Sequence, residues 1–136
     1  MRVRHFGYVI SDEEKMEKFY IKILGFKKFV RKRLKGKYIN DLIGIDDLTY
    51  IKLKDDTDIP CLEFHIWNKI RSTVYKKKNF HIAITVDNIN KLANKLIEQR
   101  VEMVSTPLIA PDSGNKVCFC YDFEGNLVEL VEEKKC

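Results

Sequence analysis

The chain has 136 residues, 45% of them hydrophobic and 33% charged, with a net charge of +5. That length suits one ordinary domain with a buried core, and that balance is globular rather than disordered. No apolar run approaches a membrane span and no cleavable leader precedes the first expected strand, so a cytoplasmic location is expected.

His5 opens a short apolar run that reads as a strand. Ser11 and Glu14 then have capping-box spacing, and the acidic Asp12 and Glu13 favour the positive end of a helix. Met16, Phe19, Tyr20 and Ile23 recur at i, i+3, i+4 and i+7, the apolar face of that helix, and Gly25 supplies its stop. Strands are expected at about 26–34, 48–54 and 61–67. Lys27, Lys28, Arg31, Lys32, Arg33, Lys35 and Lys37 concentrate positive charge near the first of these. No recognisable nucleic-acid module accompanies the stretch, so it reads as a solvated face and no nucleic-acid partner is expected.

A polar segment around 71–79, with Lys76, Lys77 and Lys78, reads as a linker, and Trp67 is expected to pack beneath it. The same plan then recurs. His81 opens a second strand, Asp87 and Asn88 are candidate caps, and Ile89, Leu92, Ala93, Leu96 and Ile97 repeat the helical stripe. Strands are expected at about 101–105, 116–122 and 126–132. The last two join through Asp122-Phe123-Glu124-Gly125-Asn126, where Gly125 can take positive φ. His5 and His81 are 76 residues apart, whereas Glu63 and Glu129 are 66 apart. The first copy therefore carries about ten extra residues, assigned to loops around Lys35–Asp47 and Asp55–Pro60.

Each copy is β-α-β-β-β. The expected fold is α+β, with two βαβββ modules forming a curved, mostly antiparallel sheet around a cavity. The whole of 1–136 is read as one domain, with module 1 at about 1–70, a linker at 71–79 and module 2 at 80–136. Cys61, Cys118, Cys120 and Cys136 show no CxxC spacing and read as small thiols in a reducing compartment.

The repeat places one His and one Glu in each copy. In Cys61-Leu62-Glu63-Phe64-His65-Ile66, alternation turns Glu63 away from Leu62, Phe64 and Ile66. Glu129 sits among Leu127, Val128, Leu130 and Val131. A carboxylate so placed is costly unless a cation or hydrogen bond meets it. Two imidazoles and two carboxylates suit a borderline divalent ion: Zn, Ni, Co, Mn or Fe(II). His5, Glu63, His81 and Glu129 are therefore the candidate metal ligands, with Glu63 and Glu129 as candidate catalytic bases. His65 shares the face of Glu63 and is a candidate ligand, supporting or substrate-binding residue, alongside an ordinary hydrogen-bonded strand histidine. Lys116, after the Ser113-Gly114-Asn115 turn, is a second candidate substrate contact for an anionic tail.

Three segments carry a resemblance. His5-Phe-Gly-Tyr-Val with Phe19-Tyr20 and Leu24-Gly25-Phe26 resembles the opening module of the vicinal oxygen chelate superfamily, the glyoxalase/bleomycin resistance/dioxygenase group. His81-Ile-Ala-Ile-Thr-Val-Asp87 resembles its second opening, and Asp122 to Leu130 its closing D-x-x-G-N-x-x-E hairpin. The resemblance implies paired βαβββ modules around a divalent ion, with first-strand and last-strand positions as ligands, and a homodimer acting on a small molecule. It also implies a choice of chemistry. Extradiol oxygenases resemble a two-His, one-Glu set with the fourth position unused, whereas Glu63 fills that position here. The expected function is thus a metal-dependent lyase or isomerase, like glyoxalase I or methylmalonyl-CoA epimerase, enolising a small carbonyl or thioester. A typical epimerase carries Gln where Glu63 stands. An extradiol-type dioxygenase and a non-catalytic small-molecule or antibiotic-binding protein are the alternatives.

Overall fold

The computed structural model describes residues 5–37, 40, 46–57, 60–67, 81–110 and 114–134. The expected linker at 71–79, Ser113 and Cys136 lie outside the described residues. The chain divides into two compact units, Met1–Lys76 and Lys77–Cys136.

The first unit contains β1 (Phe6–Ile10), α1 (Glu13–Met16) continuing into a π-helical stretch (Glu17–Ile23), β2 (Lys27–Lys35), β3 (Asp47–Lys54) and β4 (Pro60–Trp67). Its sheet runs β1-β4-β3-β2; β1 pairs with β4 in parallel and the other pairings are antiparallel. The second unit contains β5 (His81–Thr85), α2 (Ile89–Glu98), β6 (Leu108–Ile109), β7 (Lys116–Tyr121) and β8 (Leu127–Glu132). Its order, β5-β8-β7-β6, repeats the first, again with one parallel pairing, β5 with β8. These are two βαβββ modules of an α+β fold, each with its own four-stranded sheet.

The helical segments form where the apolar stripes predict them, with changes at their ends. The first helix is capped by Asp12, whose carboxylate accepts the Lys15 N–H at 3.1 Å, and not by Ser11. Asp12, the residue directly before the first turn, has the extended backbone of a cap, and its carboxylate reaches that donor and favours the positive helix end. Met16, Phe19, Tyr20 and Ile23 are all buried. The widened turn lets Leu24 N–H donate to the Phe19 carbonyl, five residues back, and Gly25 ends the segment at φ 89°. In the second unit Asn88 is the cap, accepting from the Lys91 N–H at 2.9 Å. Ile89, Ala93 and Leu96 are buried, but Ile97 is 57% exposed, because the stripe is narrower than its periodicity suggests. Arg100 ends this helix at φ 61°, the left-handed position Gly25 takes in the first copy.

The strand expected at 101–105 is absent. Met103 makes an isolated bridge to Cys120, and β6 starts only at Leu108, beyond Pro107. Backbone groups of 104–105 are instead taken up one at a time: Val104 N–H donates to the Phe119 carbonyl, and the Ser105 hydroxyl accepts from Phe119 N–H. Proline, lacking an N–H, does not extend such a ladder.

One face of each sheet packs on its helix. In the first unit the Tyr20 ring sits 4.7 Å from Phe64, with Leu62, Ile51 and Leu53 buried on the same side. In the second, α2 packs across β7 and β8, over Cys118, Cys120, Val128 and Leu130, all fully buried. Burying an aromatic or aliphatic side chain of this size contributes about 1.5–3 kcal/mol. The last hairpin is fixed by Asp122, whose carboxylate accepts the N–H groups of Glu124 and Asn126 at 2.9 and 2.7 Å, with Gly125 at φ 74°.

Most of the basic stretch becomes the outer strand β2, where several of the cations are paired. Arg33 meets Asp47 at 2.6 Å, Arg31 meets Glu13 at 2.9 Å, Lys27 meets Asp56 at 3.7 Å, and Lys28 meets Glu17. Trp67 packs on Leu48 together with Leu34.

Candidate metal centre

Alternation along β4 puts Glu63 and His65 on the face opposite Leu62 and Phe64, as the sequence predicts. Alternation along β8 likewise turns Glu129 away from Val128 and Leu130. The parallel ladders then repeat one relationship in both units. Glu63 is opposite Gly7, two residues after His5; Glu129 is opposite Ala83, two residues after His81. The neighbour beside each carboxylate is thus glycine or alanine, too small to cover it.

In the second unit His81 Nε2 lies 2.8 Å from Glu129 Oε2. The imidazole also meets the Phe119 ring edge-on, centroids 5.4 Å apart, and Phe119 stands opposite Glu129 in the antiparallel ladder. This is a His–Glu pair between a small residue and an aromatic one.

The first unit is more polar. His5 Nε2 lies 3.7 Å from Glu63 Oε2, and Lys52 Nζ lies 3.0 Å from that same oxygen. The other oxygen, Oε1, is 2.6 Å from His65 Nε2. Lys52 stands opposite Glu63 in the ladder, and Tyr50, two residues along β3, stands opposite His65. The ammonium also lies 5.4 Å from the Tyr50 ring centroid. Burial pushes the Glu63 carboxyl up, but the hydrogen bonds from His65 and Lys52, with the charges of Lys52 and His5, outweigh it and leave it below the usual glutamate range. The carboxylate is therefore ionised near neutrality, and the His65 ring nitrogen facing it is a donor.

Each unit thus brings its own candidate ligands together, and His65 joins the first pair. Lys116 does not join the second. It shares the Cys118 and Cys120 face of β7, opposite in direction to Phe119, and its ammonium lies 3.8 Å from Glu132. Lys52, Tyr50 and Phe119 are the neighbours that sequence reasoning missed. Their signal was the alternation Tyr50-Ile51-Lys52-Leu53, which sets Lys52 apart from the buried Ile51 and Leu53. Only the β3–β4 register identifies its partner.

The donors suit a borderline divalent ion. Imidazole nitrogen and carboxylate oxygen 2.8 Å apart are spaced as adjacent ligands on one ion with bonds of about 2.0–2.2 Å. In the first unit the same donor types face one another, with Lys52 also paired to the shared Glu63 oxygen. Among the described residues, no three His, Cys, Asp or Glu side chains form a ready ligand cluster.

The sequence profile of the Glyoxalase/Bleomycin resistance protein/Dioxygenase superfamily matches residues 2–130. The chain belongs to that superfamily. Its fold is shared with solved superfamily structures at low identity. A glyoxalase family protein from Bacillus cereus is 16% identical with a TM-score of 0.83, covering 99% of this chain and 95% of that one. A trypanothione-dependent glyoxalase I from Leishmania major is 23% identical with a TM-score of 0.72, covering 98% and 87%. An antibiotic binding protein from Streptomyces is 17% identical with a TM-score of 0.67, covering 98% and 97%. No curated protein matches the chain. The superfamily thus contains both enzymes and binding proteins, and no described helix is long and apolar enough to cross a membrane.

Proposed function

We propose that this superfamily member is a metal-dependent lyase or isomerase of glyoxalase I type, acting by proton transfer on a small carbonyl or thioester compound. The observation that carries this is the repeated register: a His two residues before a small residue that faces a Glu, in both units. Packing alone does not require an ionisable pair at the same ladder position twice. His5, Glu63, His81 and Glu129 would hold the ion, in a cytoplasmic homodimer.

A bound divalent ion polarises a carbonyl and lowers the cost of negative charge on its oxygen. The chain's residues supply the rest. Glu129, beside the apolar Phe119, takes the proton alpha to the carbonyl at a carboxylate oxygen. Glu63, held ionised by His65 and Lys52, keeps its charge and orientation. Tyr50, beside His65 on the first sheet, offers its hydroxyl to an anionic group of the substrate, and His65 fixes the Glu63 carboxylate.

A second reading is favoured by Lys52. Because its ammonium already neutralises Glu63, that carboxylate is paired without an ion, as suits a non-catalytic small-molecule binder. Elemental analysis separates the two. One divalent ion per site after dialysis, with turnover of a glutathione hemithioacetal or a 2-methyl acyl-CoA thioester, supports the enzyme. Protein that takes up no Zn, Ni, Co, Mn or Fe(II) rejects it.

A further inference from the structure

Glu63 and Glu129 occupy equivalent ladder positions, yet their cross-strand neighbours differ in kind: Lys52 beside the first, Phe119 beside the second. We propose that Lys52 is an affinity-setting residue for the metal centre, its ammonium competing with the incoming divalent ion for the Glu63 oxygen that faces His5. The inference rests on the metal reading above.

Three observations carry it. Lys52 Nζ and His5 Nε2 approach the same oxygen, Oε2, at 3.0 and 3.7 Å, so an ion between His5 and Glu63 enters the space the ammonium now neutralises. Glu63 has a side-chain exposure of 12% and Lys52 of 25%, so the repulsion between ammonium and divalent ion is only partly screened. The ammonium also keeps a second contact when it yields the carboxylate. Its four-carbon stem is flexible, and it already lies 5.4 Å from the Tyr50 ring centroid, within cation–π range.

His65, on the other oxygen, holds the carboxylate in place while Lys52 withdraws. In the second unit no cation is paired with Glu129 among the described residues; His81 alone meets it, with Phe119 opposite. An ion meeting the His81–Glu129 pair displaces no such charge, whereas one meeting Glu63 does so at the expense of the Lys52 contact.

The test is calorimetric titration of metal-stripped protein with Ni²⁺, repeated with Zn²⁺, on wild type and on the Lys52→Met, Lys52→Gln, Lys52→Arg and Glu129→Gln variants. Circular dichroism confirms folding, and Lys52→Gln substitutes if Lys52→Met does not fold. The neutral variants are expected to bind the ion about tenfold tighter or more, from loss of the like charge, and Lys52→Arg to stay near wild type. Unchanged or weaker binding by the neutral variants overturns the inference, as does equal tightening by Lys52→Arg. These outcomes leave the metal reading standing if wild type binds the ion and Glu129→Gln binds it more weakly. Wild type and every variant failing to bind either ion removes the metal reading itself, and the role of Lys52 with it.

Discussion

Glu132, near the end of the last strand, reaches across to accept the backbone N–H of Ile89 at 2.7 Å and so ties β8 to the first turn of α2. The donor is one that the helix itself leaves unsatisfied, and the acceptor is charged at the positive helix end. Glu132→Ala is expected to lower unfolding free energy by about 1–2 kcal/mol in urea denaturation. Lys116→Ala, which removes only the weaker 3.8 Å contact to the same carboxylate, is expected to change it by less than about 0.5 kcal/mol.

Because Glu129 would both hold the ion and move the proton, its role as base is read with the ion in excess. Glu129→Gln keeps the shape of the side chain but not its proton affinity. With an active substrate in hand, kcat is expected to fall about 10²- to 10⁴-fold, read in steady-state kinetics at saturating metal. Turnover within a factor of two of wild type would move the base elsewhere.

The ion pair between Glu13 and Arg31 fixes a pH window for stability. The Arg31 hydrogen bonds lower the Glu13 carboxyl below its ordinary value; burial opposes this, and the charges of Arg31 and Lys28 add to the lowering. A carboxyl lowered on folding stabilises the protein above its unfolded value, near 4.3, and loses that contribution as pH falls through the lowered folded value. Arg31→Ala is therefore expected to be less stable than wild type at neutral pH, with the difference vanishing in acid. Carboxyl-carbon NMR on Glu13 should show its midpoint rising toward the ordinary value. A stability gap that persists below the folded midpoint would mean that Arg31 acts through packing instead.

The thiols are expected to divide by burial. Desolvation, with the Cys118 and Asp122 charges adding to it, pushes Cys120 up to about 12, and burial raises Cys118 and Cys61 as well. At pH 8, a thiol reagent should leave Cys118 and Cys120 unmodified in native protein and label both in denaturant, as read by peptide mass spectrometry. Rapid native labelling of Cys120 would contradict the packing of α2 on β7.

Much of the fold was legible because its signals are local. The stripes through Met16–Ile23 and Ile89–Leu96, the Asp122–Asn126 turn and the alternation around Glu63 each depend on neighbours in sequence, and each is found in the structure. The failures are those where a local signal competes with another. Ser11 and Asp12 are both good caps, and only backbone geometry chooses Asp12. Val101-Glu102-Met103-Val104 alternates like a strand, yet its hydrogen bonds go singly to β7 and the ladder begins past Pro107. The His–Glu pairs were visible through the repeat. Lys52 was not, because its partner is set by the register between β3 and β4, which no short pattern encodes.

Each His–Glu pair spans two chain segments set by neighbouring strands: His5 directly precedes β1, which pairs with β4, and His81 opens β5, which pairs with β8. Their separation is accordingly governed by the spacing of adjacent strands, about 4.8 Å, and not by the connections between them. The chain's first half is longer than its second by roughly two or three turns' worth of connecting residues, and the pair survives intact. A change in the length of a connection is thus absorbed outside the paired strands, and the His and Glu of each unit keep their ladder relationship.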